Sequence, residues 1–146
     1  MSARSRIADA LVEKIKQING TGSYQSNLYN NVFNRLKFWN EVDDYPSVYL
    51  NPGPETREYL PGGFKWGYLS VIIRIYVKSE DGPELKLEEI FSDIETIVDS
   101  IGHLEYDTGK FTEDINISNI NTDEGLLAPY GVGEITLQIM YDLESN

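Results

Sequence analysis

Residues 66–78 read Trp66-Gly67-Tyr68-Leu69-Ser70-Val71-Ile72-Ile73-Arg74-Ile75-Tyr76-Val77-Lys78, and they decide the fold. The odd positions from Leu69 to Val77 are all aliphatic, whereas the even ones carry Tyr68, Ser70, Ile72, Arg74, Tyr76 and Lys78. Successive side chains of an extended chain point to opposite faces, so the alternation predicts a strand with its odd face inward. After Ser79-Glu80-Asp81-Gly82-Pro83 the period changes. Leu87, Ile90, Phe91, Ile94, Ile97, Val98 and Ile101 fall on an arc of about 120° at roughly 3.6 residues per turn. The spacing assigns Glu88, Glu89, Asp93, Glu95 and Asp99 to the solvent side of that helix.

Working backwards from this strand, Phe64-Lys65-Trp66, Pro61-Gly62-Gly63 and Glu55-Thr56-Arg57-Glu58-Tyr59-Leu60 predict a long hairpin turning at Pro61-Gly62-Gly63. Its arms carry Arg57, Tyr59, Phe64 and Trp66 away from any predicted helix. A partner surface explains so many large groups there, and a loop folded over its own core is the alternative. Val48-Tyr49-Leu50 forms a strand opened by Tyr45-Pro46 and expected to stop at Asn51-Pro52-Gly53-Pro54, because proline lacks a ladder donor. Between residues 22 and 45 the pattern weakens to a short strand or ordered loop, with Phe38 and Trp39 expected to pin it to the core. Residues 3–18 predict a first helix, burying Ile7, Ala8, Leu11, Val12, Ile15 and Ile18 and stopping at Asn19-Gly20.

Beyond the second helix, 104–111 reads as a turn-containing excursion and 114–120 as a strand with Ile115 and Ile117 inward. A turn at 121–125 and a last strand over 134–143 complete the chain. The predicted architecture is α+β: a mainly antiparallel sheet, two helices packed on one face, and a projecting hairpin. With 146 residues and no linker or internal repeat, one domain spanning 1–146 is expected.

Twenty-four acids against 12 bases give a net charge of −12, which disfavours holding nucleic-acid phosphates. Like-charged copies also repel, so self-association should depend on salt. Ten tyrosines favour interfaces, where a buried ring keeps its hydroxyl hydrogen-bonded. The chain has no cysteine, its N-terminus lacks the apolar run of a signal peptide, and no segment approaches the ~20 apolar residues of a membrane span. A soluble, cytoplasmic protein is expected.

Enzymatic signatures are missing. His103 is the single histidine, has no Gly-x-Ser-x-Gly elbow beside it, and is expected at the surface or capping the second helix. One histidine without cysteine makes a zinc site improbable, and no acidic cluster has the spacing of a calcium loop. Gly20-Thr21-Gly22 and Pro61-Gly62-Gly63 lack the context of phosphate loops. No catalytic residue, metal or cofactor is expected.

The Pro-containing strand Tyr45-Pro46-Ser47-Val48-Tyr49-Leu50, the hairpin into an apolar strand ending near Tyr76 and an acidic-faced helix come in a suggestive order. They are followed by Thr122-Asp123-Glu124-Gly125, Pro129 and a strand ending Ile139-Met140-Tyr141. From Ala8 to Leu143 this order resembles the tail terminator (tail completion) proteins of long-tailed bacteriophages. The resemblance implies a virion protein at the head-proximal end of the tail, assembled in the host cytoplasm. It implies a homo-oligomer, a hexameric ring, that sits on the last ring of tail tube protein, ends polymerisation and docks the neck or head-completion protein. DNA passes through such a ring without specific binding, and Asp123 and Glu124 are the acids assigned to its channel. Arg57, Tyr59, Phe64 and Trp66 are assigned to subunit or tube contacts, with Arg74 and Tyr76 as second choices. The alternatives are a neck or head–tail joining protein, an acidic DNA-mimic inhibitor, and a small hydrolase or ligand-binding domain with a deep pocket.

Overall fold

The computed structural model describes residues 1–143. In chain order the elements are α1 (Ala3–Ile15), β1 (Val32–Asn34), a short 3₁₀ turn (Trp39–Glu41), β2 (Ser47–Tyr59), β3 (Lys65–Lys78), α2 (Pro83–Ser100), β4 (Glu105–Asp107), β5 (Lys110–Phe111), β6 (Asp114–Thr122) and β7 (Tyr130–Asp142). Five strands form one sheet in the order β1-β2-β3-β7-β6, antiparallel except for the parallel β1–β2 pair. β4 and β5 make a separate small hairpin. This is the expected α+β fold.

β3 lies at the centre with its odd positions inward, as the alternation predicts. Leu69, Val71, Ile73 and Ile75 are buried together with Ile135, Leu137 and Ile139 of β7. Ile7, Leu11 and Ile15 of α1 and Leu87, Ile90, Phe91 and Ile94 of α2 close over that face. Fully burying each such side chain contributes about 1.5–3 kcal/mol, so this layer dominates the stability. Ser2 caps α1, accepting from the Ser5 N–H at 3.1 Å. α2 opens with Pro83 in its first turn, where a missing N–H costs nothing.

Several expectations are corrected. β2 does not stop at Asn51 but continues to Tyr59, with a register shift between Pro52 and Glu55 absorbing the Pro-Gly-Pro segment. β1 pairs with β2 only at Val48–Leu50, so the prolines sit on a free edge where the lost donor has no ladder partner. β7 begins at Tyr130 rather than Glu134. Gly133, inside the strand, is a point of close approach, because a Cβ there would lie 2.7 Å from Phe91 Cζ. β6 likewise extends to Thr122, and α1 ends at Ile15 although Ile18 remains buried.

Asp93 is not on the solvent side. It is 1% exposed, and its carboxylate accepts the Gln25 N–H at 2.9 Å, the Ser26 N–H at 2.8 Å and the Ser26 hydroxyl. An ionised carboxylate with several donors can replace lost water, and here it fastens the α1–β1 loop to α2. Phe38 and Trp39 do not pin their loop to the core; they are 60% and 41% exposed. Trp39 instead meets Tyr130 with ring centroids 6.0 Å apart.

Candidate interaction surfaces

The predicted hairpin is present. β2 and β3 pair from Ser47↔Tyr76 to Tyr59↔Lys65, and Leu60 N–H closes the turn on Phe64 O at 2.8 Å. Its tip exposes Tyr59 (64%), Leu60 and Phe64 (60%) to solvent. The four candidates on its arms are nevertheless split between faces. Arg57 and Tyr59 pair with Gly67 and Lys65, odd positions on the helix side, whereas Trp66 pairs with Glu58 on the outer side. Trp66 is half-buried beside β7, opposite Asp142.

The hairpin base is locked by a polar cluster. Glu55, its side chain 4% exposed, accepts the Tyr141 hydroxyl at 2.6 Å and the Arg57 Nε–H at 2.6 Å, with Arg4 Nη1 at 3.6 Å. Arg4 also donates to Gly53 O at 2.6 Å. The Tyr141 ring fits because β3 has no side chain at Gly67, where a Cβ would lie 2.7 Å from Tyr141 Cε1. Burial, and then the bond to Glu55, push the Tyr141 hydroxyl pKa above its ordinary value.

On the outer face Arg74 is half-buried, donating to Asn51 Oδ1 at 3.1 Å and pairing with Glu134 at 3.6 Å. Tyr76 is covered within the subunit. It packs with Val42 and Tyr49, and its hydroxyl donates to Lys37 O. Burial raises its pKa.

Asp123 and Glu124 lie in the turn between β6 and β7. The Asp123 carboxylate accepts the Leu127 N–H at 3.0 Å and the Val132 N–H at 3.1 Å, so it holds the turn, while Glu124 is exposed at φ 57°.

One surface was not legible as a site. Phe33, Leu36, Phe38 and Trp39 are exposed along the β1 edge, with Arg35 Cζ 5.4 Å from the Phe33 ring centroid and Lys37 Nζ 5.8 Å from that of Tyr49. Phe33 stacks on Tyr49 at 5.2 Å. The available signal was the run of large apolar residues Phe33, Leu36, Phe38 and Trp39 interleaved with Arg35 and Lys37; of these, only Phe38 and Trp39 carry an expectation from sequence, that of anchoring the loop.

His103 is exposed and donates through Nδ1 to Thr112 O at 2.9 Å. Among the described residues there is no cluster of ligands suited to a metal, and no helix is long and apolar enough to cross a membrane.

The family described as "Bacteriophage Tail Tube Terminator Protein" matches residues 1–146. The chain is 38% identical over 152 residues to "Tail tube terminator protein p142" of Escherichia phage T5, covering 97% of this chain and 94% of that protein. Its fold is similar to a chain in the structure "Virion of native gene transfer agent (GTA) particle", with a TM-score of 0.58 at 11% identity, covering 93% of this chain and 97% of the other. The chain therefore belongs to the bacteriophage tail tube terminator family and is a structural protein of the phage tail, not an enzyme.

Proposed function

We propose that this chain assembles as a closed ring of six copies on the last ring of the tail tube, ends tube polymerisation there, and offers its far side to the neck or head-completion protein. The observation that carries this reading is the hairpin. It is braced at its base by the Glu55 cluster and presents Tyr59, Leu60 and Phe64 to solvent at its tip. Large aromatic side chains become energetically dominant when a partner desolvates them. Phe64 and Tyr59, with Arg57 and Trp66 on the arms, are the proposed tube contacts. The aromatic and cationic segment 33–39, at the opposite edge of the sheet from β6, is a second contact surface for a neighbouring copy. Arg74 lies on the outer face between these regions; Tyr76 supports that face from within the subunit.

The mechanism is recognition by shape and charge without bond chemistry. Heterologous contacts close into a ring when the rotation per copy divides a full turn. One face must match the tube and the other must not, since otherwise growth would continue. Carboxylates along the lumen, Glu124 and Asp123 among them, would repel DNA phosphates and let the genome slide. The particle mass in solution, alone and mixed with tube protein, tests the ring. A mass near six chains in either condition supports it, and a single-chain mass in both contradicts it.

A further inference from the structure

Although the chain carries a net charge of −12, four of its 12 bases converge on one cleft. Arg4 and Arg6 reach it from α1, Arg57 from β2 and Lys110 from β5, around a volume of about 320 Å³ floored by Tyr106 and Tyr141. The two acids beside these bases are already engaged. Asp107 pairs with Arg6, and Glu55 holds Tyr141, Arg57 and Arg4. The guanidinium side chains remain 34–48% exposed, so a partner can still reach them. Lys110 takes part in none of the ion pairs found among the described residues.

We infer that this cleft is the receptor for a carboxylate-bearing segment of the tail-tube subunit, docked beside the hairpin. The inference rests on the tube-capping reading above and gives it a chemistry. Arg57 belongs both to the hairpin arm and to the cleft wall, so a partner that covers the hairpin also covers the cleft. Guanidinium groups bind carboxylates in a planar, two-pronged geometry that orients as well as attracts.

The opposite end of the strands has the contrary character. There the β3–α2 link carries Glu80 and Asp81, the first turn of α2 carries Glu84, and the β6–β7 turn carries Asp123 and Glu124, with Lys78 and Lys86 as the bases on these segments. The same acidic segment that fits the cleft is repelled from that end. A terminator needs this asymmetry: attraction on one side and like-charge rejection on the other.

The test uses the full-length chain, preformed tail tubes of its own phage, and a short oligoglutamate peptide as a soluble probe. Lys110→Glu should weaken binding to tube ends by about tenfold or more at physiological salt while thermal unfolding stays unchanged. Lys86→Glu, at the opposite end, should leave tube binding within about twofold. Oligoglutamate should bind the free chain and compete for tube ends, and Lys110→Glu should abolish both effects. Tube binding by Lys110→Glu equal to the native chain overturns the inference. So does displacement by a DNA duplex but not by oligoglutamate, which would make the cleft a phosphate site. If the native chain ignores tube ends yet binds oligoglutamate through Lys110, the capping reading fails and the cleft's carboxylate chemistry stands.

Discussion

The hydroxyl of Tyr141, near the end of the last strand, donates to Glu55 Oε1 at 2.6 Å across the base of the hairpin. The same carboxylate orders Arg57 and faces Arg4, so one side chain ties β2, β7 and α1 together. Glu55→Ala leaves the tyrosine hydroxyl and two partly exposed guanidiniums without their shared acceptor. It is expected to lower the unfolding free energy by about 2 kcal/mol, read from the urea midpoint.

Alkaline pH should weaken the fold through the same tyrosine. Burial and then Glu55 raise the Tyr141 pKa above its reference of 10.0. The folded chain therefore keeps the proton at a pH where the unfolded chain has lost it. The stabilisation is complete below about pH 10 and declines as pH climbs towards the folded-state value. Tyr141→Phe should flatten that decline, measured as unfolding free energy against pH between 9 and about 12.

Asp93 gives a test on the other side of the core. Asp93→Ala deprives two backbone N–H groups and the Ser26 hydroxyl of their acceptor. A cost of about 2–3 kcal/mol is expected, with faster hydrogen exchange confined first to Gln25 and Ser26.

A methyl group at Gly133 would meet Phe91 at 2.7 Å. Gly133→Ala should cost about 1–3 kcal/mol through overpacking. Adding Phe91→Leu should recover part of that loss if the clash is its cause, as a double-mutant cycle in thermal unfolding would report.

The hairpin variants should separate stability from function. Phe64→Ala and Tyr59→Ala remove exposed groups and should change stability by no more than about 0.5 kcal/mol. Tube-end affinity should fall roughly thirtyfold for Phe64→Ala, the equivalent of about 2 kcal/mol.

The central strand, both helices and the hairpin were legible because each is a pattern of period two or near 3.6. Leu69 to Val77 and Leu87 to Ile101 needed no partner to be read. What was missed depends on neighbours distant in sequence. Pro52 and Pro54 looked like a stop because local propensity cannot see that β1 leaves that edge of β2 free. The last strand was expected to start at Glu134 rather than Tyr130, because the role of Gly133 is set by Phe91 on another element. Asp93 looked solvated because its donors come from residues 25 and 26. For the interaction surfaces, composition pointed to the hairpin but could not assign its side chains to faces. That division follows from the register, which places Arg57 opposite Gly67 and Trp66 opposite Glu58. Phe38 and Trp39 were expected on the core and lie exposed, because an exposed aromatic patch and a buried one have the same sequence.

On the proposed reading the chain ends tube growth by occupying the tube end. The most direct test of that reading is to add the purified protein to polymerising tail tube protein and measure tube lengths over time by electron microscopy. Lengths should plateau sooner as the added protein increases, with density for the chain at one tube end only. An unchanged length distribution, or density along the tube walls, would contradict it.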